Sequence, residues 1–312
     1  MTAPTSILVT GMAGGLAHRV AQRLIEAGDS VVGVDYRAVP ALPAPLDGMT
    51  TYRANYNKTA IEDVFRKHTF DTVLHLGRVG NLKEEMGKRF DLNVMGSQKL
   101  MNLCVQWGVK TLVVLSTFHI YGASSRNHTP IGEDDPLHAG TDFPQIADAI
   151  QLDNMASQWV FKFPAVRTVV LRPTNVVGPS IHNTMSKFLR LPTVPHIAGY
   201  DPMTQFVHED DLASAVVAAT RGSARGVFNV AGAPPVPWRT AIDLLGARTV
   251  PVPSIVASVY LRAIGFPSYL VNFYKYPCII SDDALRRAFD WAPRVSMVET
   301  LRTTRASADV TT

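Results

Sequence analysis

Gly11-Met12-Ala13-Gly14-Gly15-Leu16-Ala17 follows the apolar run Ser6 to Thr10, and Asp35 closes the next apolar run, Val31 to Val34. These residue types in this order can hold a dinucleotide. Glycines let the backbone turn tightly and approach a pyrophosphate, whose charge then rests against the unpaired N–H groups of a helix start. A carboxylate about twenty residues beyond the glycines accepts hydrogen bonds from a ribose diol. Asp35 would repel a 2′-phosphate and so favours NAD over NADP, while Arg37 keeps NADP open. A glycine turn alone marks many ordinary loops. The strand before it, the helix after it and the spaced acid are what make this one a dinucleotide site.

Placing that turn requires a sheet, and the rest of the N-terminal half reads as one. Met49–Arg53 is expected as a short strand and Asn57–Lys67 as a helix with Ile61, Val64 and Phe65 on one face. Asp71 to Gly77 is nearly continuous in apolar residues, as in strands buried on both faces of a parallel sheet. Phe90–Trp107 is expected as one helix stopped by Gly108, Thr111–Ser116 as a strand, Pro144–Phe163 as a helix and Arg167–Arg172 as a strand. Alternation of this kind implies right-handed crossovers and a doubly wound α/β fold. Gly11, Asp35, Gly77 and Ser116 then all fall at the carboxyl ends of strands, where such sheets bind ligands.

Beyond Pro173 the prolines crowd and the helices shorten, so a second lobe begins. We expect a dinucleotide domain over 1–172 with a returning segment at about 205–232, a smaller and mainly helical lobe over 173–204 and 233–302, and a flexible tail over 303–312. Val250–Phe266 reads as a buried or lid helix, too short and too broken by proline to span a bilayer.

The 312 residues are 46% hydrophobic and 18% charged, an ordinary globular composition. A formal net charge of +4, with Lys and Arg scattered, argues against nucleic acid. Cys104 and Cys278 have no neighbouring Cys or His pair, so neither a disulfide framework nor a metal site is indicated. The chain starts directly on its first strand without an export leader, and a cytoplasmic location is expected.

Ordered along the chain, several segments resemble the extended short-chain dehydrogenase/reductase family, the branch of NAD-dependent sugar-nucleotide epimerases and dehydratases. Thr10-Gly11-x-x-Gly14-x-x-Ala17 resembles its glycine turn, with Ala17 replacing the last glycine. Asp71 to Gly77 is similar to its DxVxHLAA strand, with Gly77 and Arg78 in place of two alanines, and Asn93-Val94-Met95-Gly96 to its NVxGT helix. Ser116-Thr117-Phe118-His119-Ile120-Tyr121-Gly122 resembles SSxxVYG, and Leu171 to Pro179 resembles LRPxNVYGP, with Val177 for its tyrosine. Phe206 to Leu212 is similar to FVHVDDL, and Phe228-Asn229-Val230 to YNV.

The resemblance implies a Rossmann domain and NAD, with NADP second. It implies cofactor contacts from Gly11, Met12, Ala13, Gly14, Gly15, Leu16, Asp35, Tyr36, Arg37, Leu76, Gly77, Arg78, Asn93, Ser116, Pro173, Asn175 and Val176. Asn55 stands near a position that contacts adenine in the family. Thr117 takes the place of the catalytic hydroxyl. The family often forms a homodimer through two helices, which here are 91–107 and 145–163.

One part of the pattern is missing. The family's Tyr-x-x-x-Lys pair, phenol for the proton and ammonium for the ribose, should fall at 146 and 150, which are Ile146 and Ile150. No tyrosine lies between Tyr121 and Tyr200 and no lysine between Lys110 and Lys162. General acid–base catalysis is worth about 10²–10⁴-fold, so ordinary turnover should fall unless another group substitutes. His119 is the candidate substitute, set against a solvent-facing loop histidine. Tyr121 is expected to support its loop, Asp148 to be a solvated helix carboxylate, His75 a satisfied core histidine, and His208 a structural hydrogen-bond partner. Arg78 is weighed between a phosphate or substrate acid and a surface ion pair.

Three functions follow: an epimerase, dehydratase or reductase acting on a nucleotide sugar or other hydroxyl or carbonyl compound; a non-catalytic NAD-binding sensor or partner protein; or a reductase of a hydrophobic, steroid-like substrate.

Overall fold

In the computed structural model, residues 5–42, 46, 48–80 and 84–306 are described. The order of elements is β1 (Ser6–Thr10), α1 (Gly15–Glu26), β2 (Ser30–Asp35), β3 (Thr51–Arg53), α2 (Ala60–Lys67), β4 (Thr72–His75), α3 (Met86–Phe90), a π-helical turn (Asp91–Gly96), α4 (Ser97–Gln106) and β5 (Thr111–Leu115). A 3-10 turn (Phe118–Tyr121), α5 (Ala139–Asp142), a second 3-10 turn (Pro144–Ile146), α6 (Ala147–Lys162) and β6 (Arg167–Pro173) complete the N-terminal half. Then come β7 (Asn175–Val177), α7 (Thr184–Leu189), β8 (Thr193–Ile197), β9 (Met203–Thr204), β10 (Phe206–His208), α8 (Glu209–Arg221) and β11 (Gly226–Val230). The chain closes with β12 (Val236–Pro237), α9 (Trp238–Leu244), β13 (Arg248–Val252), α10 (Ala257–Ala263), α11 (Leu270–Phe273), α12 (Asp283–Phe289) and α13 (Met297–Ala306).

Seven strands make one sheet in the order β11-β6-β5-β4-β1-β2-β3, every pairing parallel. Their β-branched, apolar sequences are buried on both faces, because helices cover both. Ala17, Val20, Ala21 and Leu24 of α1 meet Leu212, Ala215, Val216 and Ala219 of α8 on one face. On the other, α2, α4 and α6 bury Ile61, Val64, Leu100, Cys104, Leu152 and Trp159. The chain order reverses between β1 and β4, and the crevice outside their carboxyl ends is where such sheets bind ligands.

The C-terminal part packs around its own core, with Phe188, Trp238, Ile242, Leu261, Phe266, Leu270, Tyr274 and Leu301. Short strand pairs lace it together: β8 with β13, β9 with β12, and β7 with β10.

Three readings change. The expected helix 90–107 contains the π turn, where Asn93 and Asp91 reach out of the helix to Val79, Asp148 and Asn57. Val250–Phe266 is no single helix: Val250–Val252 belong to β13, with Pro251 at that pair's edge, and only Ala257–Ala263 is helical. At the end, α13 runs to Ala306, because Thr300 and Leu301 are buried and the Thr303 hydroxyl meets His208 at 3.3 Å; 307–312 lie outside the described residues. No helix among the described residues is long and apolar enough to cross a membrane. Both cysteines are free and buried.

Candidate active site

The glycine turn is fixed by its neighbours. Gly11 leaves β1 with φ +81°, in the left-handed region, and a Cβ there would lie 2.7 Å from Gly77 Cα at the end of β4. Only glycine satisfies both demands, conformation and contact. The Gly14 N–H closes the turn onto the Gly11 carbonyl at 2.9 Å, and α1 begins at Gly15. Its first N–H groups have no intrahelical partner, and no acidic side chain occupies its first turn. A Cβ on Gly15 would run into Ser180, which is held by the buried Glu209.

Asp35 ends β2 at 1% exposure. One of its oxygens accepts from the Ala13 N–H at 2.9 Å and the other from the Arg37 N–H at 2.8 Å, while the Arg37 guanidinium leans over the carboxylate at 3.3 Å. The acid therefore pins the glycine turn as well as facing the groove. The Tyr56 hydroxyl accepts from the Gly11 N–H at 3.1 Å, and burial pushes its pKa up, so it stays a phenol. Beneath the turn, the His75 ring bridges Thr10 and Ser97 at 2.8 and 2.7 Å, and burial lowers its pKa to about 4. It is the satisfied core histidine expected of it.

A groove holding about 430 Å³ of open space runs along these residues. It brings together Gly11, Gly14, Asp35, Tyr36, Arg37, Leu76, Gly77, Arg78 and Asn93 from the sequence reading, and adds Tyr56, Val79 and Leu92. Tyr56 carried no sequence signal beyond standing beside Asn55. Asn55 itself does not line the groove; it caps a turn, its Oδ1 taking the Asn57 N–H at 2.9 Å. Met12 is fully buried in the core. Ala13, Gly15 and Leu16 belong to the turn and the helix start without lining the groove.

Ser116, Pro173, Asn175 and Val176 lie farther along the sheet edge, outside the groove. Asn175 donates to the Gln205 carbonyl at 3.0 Å. Ser116 donates to Asp153 at 2.5 Å, which engages its hydroxyl away from any cofactor. Asp153 is fully buried and pairs with Arg172 at 2.7 Å. Arg172 also reaches the Tyr121 hydroxyl at 2.8 Å, and that hydroxyl donates to Asn229 at 2.8 Å. Tyr121 is thus a strut for its loop; burial raises its pKa to about 12.

Thr117 caps the 3-10 turn, is 6% exposed, and its Oγ1 lies 2.9 Å from His119 Nδ1. His119 is not a solvent-facing loop histidine. Its ring lies 4.4 Å from Phe118, 4.9 Å from Phe273 and 6.1 Å from Tyr269, centroid to centroid. Burial and then the Arg78 charge lower its pKa to about 3, so it is neutral at physiological pH. It therefore carries one ring proton, is a weak base, and cannot serve as an imidazolium acid.

Ile146 is buried at 5% exposure and Ile150 partly so, among Phe143, Ala149, Tyr269 and Phe273. Asp148 corrects the expectation of a solvated carboxylate. At 1% exposure it forms an ion pair with Arg89 and accepts from Asn93 at 2.6 Å. Its pairing partner sits on α3, far away in sequence, and helix phase alone did not reveal it. Asn93 also clamps Val79 through both its backbone groups, at 2.8 and 3.0 Å. Arg78, in the groove wall, has no ion-pair partner among the described residues, so the surface-pair reading fails. His208 caps α8, accepting from the Asp210 N–H at 3.1 Å, a structural role.

A parallel doubly wound sheet, a glycine turn at its switch point and an acid at the end of the second strand define a dinucleotide-binding Rossmann fold. The model of the NAD dependent epimerase/dehydratase family matches residues 7–231, and the chain belongs to that family. It is 29% identical over 262 residues to an uncharacterized protein of Mycobacterium tuberculosis, covering 80% of this chain and 68% of that one. It is 25% identical over 324 residues to UDP-glucuronate 4-epimerase of Thermodesulfobacterium geofontis, covering 95% and 94%. The fold is also that of Thermus thermophilus UDP-glucose 4-epimerase solved as a complex with NAD, at TM-score 0.77, 22% identity, and 97% and 99% coverage.

Proposed function

We propose that the chain binds NAD in the groove beside Gly11 and acts on a hydroxyl or carbonyl group of a small molecule, with nucleotide sugars the first class to test. The observation that carries this is the cradle itself: Gly11 and Gly77 in backbone contact, the open N–H groups of α1 above them, and Asp35 buried at the groove edge. The groove fits the cofactor's chemistry. In this reading the turn at Gly11 and Gly14, with the helix start behind it, would take the pyrophosphate, Asp35 the ribose diol, and Leu76 to Arg78 with Asn93 the nicotinamide half. A 2′-phosphate would meet a buried carboxylate, which favours NAD. When bound, NAD supplies a hydride acceptor or donor; Thr117 holds the substrate oxygen and His119 orients the Thr117 hydroxyl.

A second reading, a non-catalytic NAD-binding protein, is favoured by Ile146 and Ile150 and by the aromatic packing on His119. That apolar wall also keeps a hydrophobic substrate in view. We further read the π turn with α4, together with α6, as a homodimer surface of a cytoplasmic protein, since Met95, Val105 and Phe161 are exposed there at 45%, 37% and 83%. Calorimetric titration with NAD and NADP, followed by turnover on nucleotide sugars and ketones, separates the readings. Turnover above a Thr117→Ala control supports the first; NAD binding with no turnover supports the second.

A further inference from the structure

The phenol absent from α6 has a counterpart in the C-terminal lobe. Tyr269, immediately before α11, packs with Ile150 and Phe273 against the buried cluster of Ala139, Phe143, Ile146 and Ala149. Its ring is 5.7 Å from Phe143, 6.0 Å from Phe273 and 6.1 Å from His119, edge-on to the last two. A tyrosine from the C-terminal lobe thus packs against the same buried cluster as Ile146, the position where the family resemblance places one.

Its hydroxyl is also free. The Tyr52, Tyr56 and Tyr121 hydroxyls are engaged by His68, Gly11, and Asn229 with Arg172. Tyr269 Oη has no hydrogen-bond partner among the described residues, yet it is not one of the buried unpartnered polar atoms, as Tyr274 Oη is. The residue itself is half-buried. The charge of Arg78 acts on both Tyr269 and His119, and Arg78 has no ion pair among the described residues, whereas Arg89, whose charge also acts on Tyr269, is paired with Asp148.

We infer that Tyr269, brought in from the substrate lobe, is the proton-transferring phenol that Ile146 cannot be, with Arg78 as the cation that stands in for the missing lysine. This rests on the reading of the chain as an NAD-linked enzyme. In the reducing direction a bound NADH would supply the hydride with its electron pair to the carbonyl carbon and be left as NAD⁺, so that the carbonyl, once protonated, would be an alcohol. The proton the new alkoxide oxygen needs leaves Tyr269 Oη, and the resulting phenolate lies within the field of Arg78. Burial holds the resting pKa of Tyr269 up at about 12, so the proton is present at neutral pH.

The test compares wild type, Tyr269→Phe and Arg78→Met by calorimetry with NAD, by NADH-dependent reduction of a panel of ketones and 4-keto nucleotide sugars, and by ultraviolet tyrosinate difference titration. We expect Tyr269→Phe to melt and bind NAD as wild type does, while its kcat falls about 10²–10⁴-fold with KM little changed. The titration, wild type minus Tyr269→Phe, should show one phenol whose midpoint drops when NAD⁺ is added and rises in Arg78→Met. Unchanged turnover in Tyr269→Phe, or a midpoint indifferent to both NAD⁺ and Arg78, overturns the inference. If wild type binds NAD but reduces nothing, the enzyme reading fails while the titration still decides the placement of the phenol against NAD and Arg78. If wild type binds no NAD, both fall.

Discussion

Asp153→Asn is an isosteric change that removes one buried charge from beneath the candidate site. Asp153 accepts from Ser116 at 2.5 Å and from Arg172 at 3.1 and 2.7 Å, and its side chain and that of Arg172 are 0% and 5% exposed. The amide keeps one acceptor oxygen but turns an NH₂ toward the guanidinium, leaving a buried cation uncompensated. Breaking a buried pair in this way costs about 3–5 kcal/mol. For a chain of this size that corresponds to a fall of roughly 5–15 °C in Tm, read by differential scanning calorimetry. The charge is the stated cause, so removing it from both sides should help. The double variant Asp153→Leu/Arg172→Met, of similar volume, should recover about half the loss, the remainder reflecting the bonds from Arg172 to Tyr121 and to the Glu133 carbonyl. A single variant that melts like wild type, or a double variant no better than the single, refutes this account of the network.

Gly11→Ala should cost about 1–2 kcal/mol for the left-handed backbone and about 1–3 more for the contact with Gly77, and should abolish NAD binding; calorimetry with a thermal melt checks both, and a variant that binds normally counts against the cradle. Acid should weaken the fold above any carboxylate effect. His75 ionises in the unfolded chain near 6.5 but in the fold only near about 4, so its contribution is complete above pH 6.5 and drains away as pH falls toward 4. At pH 5 that amounts to about 2 kcal/mol, and His119, also depressed, adds in the same direction; urea unfolding at pH 7, 6 and 5 measures it, and a flat profile would contradict it.

The segments that place the cofactor groove are local, and they were legible. The strand, glycine turn, helix and acid of 6–35 need only neighbours in sequence, and Gly77 follows from an apolar strand of the right length. What escaped the sequence depends on pairs far apart. Asp148 turns inward because Arg89 waits on α3, Ser116 is claimed by Asp153 because α6 crosses β5, and Tyr269 joins the cluster around Ile146 because the C-terminal lobe packs against that side of the fold. No periodicity reports such meetings. Tyr56 displaced Asn55 from the groove for a simpler reason: the chain turns after β3, the Asn55 side chain is spent capping that turn, and the next residue reaches the Gly11 N–H.

The central claim is that the groove beside Gly11 holds NAD, and isothermal titration of the wild-type chain tests it most directly. The account predicts saturable binding of one NAD per chain, weaker binding of NADP, and loss of both in Gly11→Ala. No heat and no rise in Tm with NAD at millimolar concentration would contradict it.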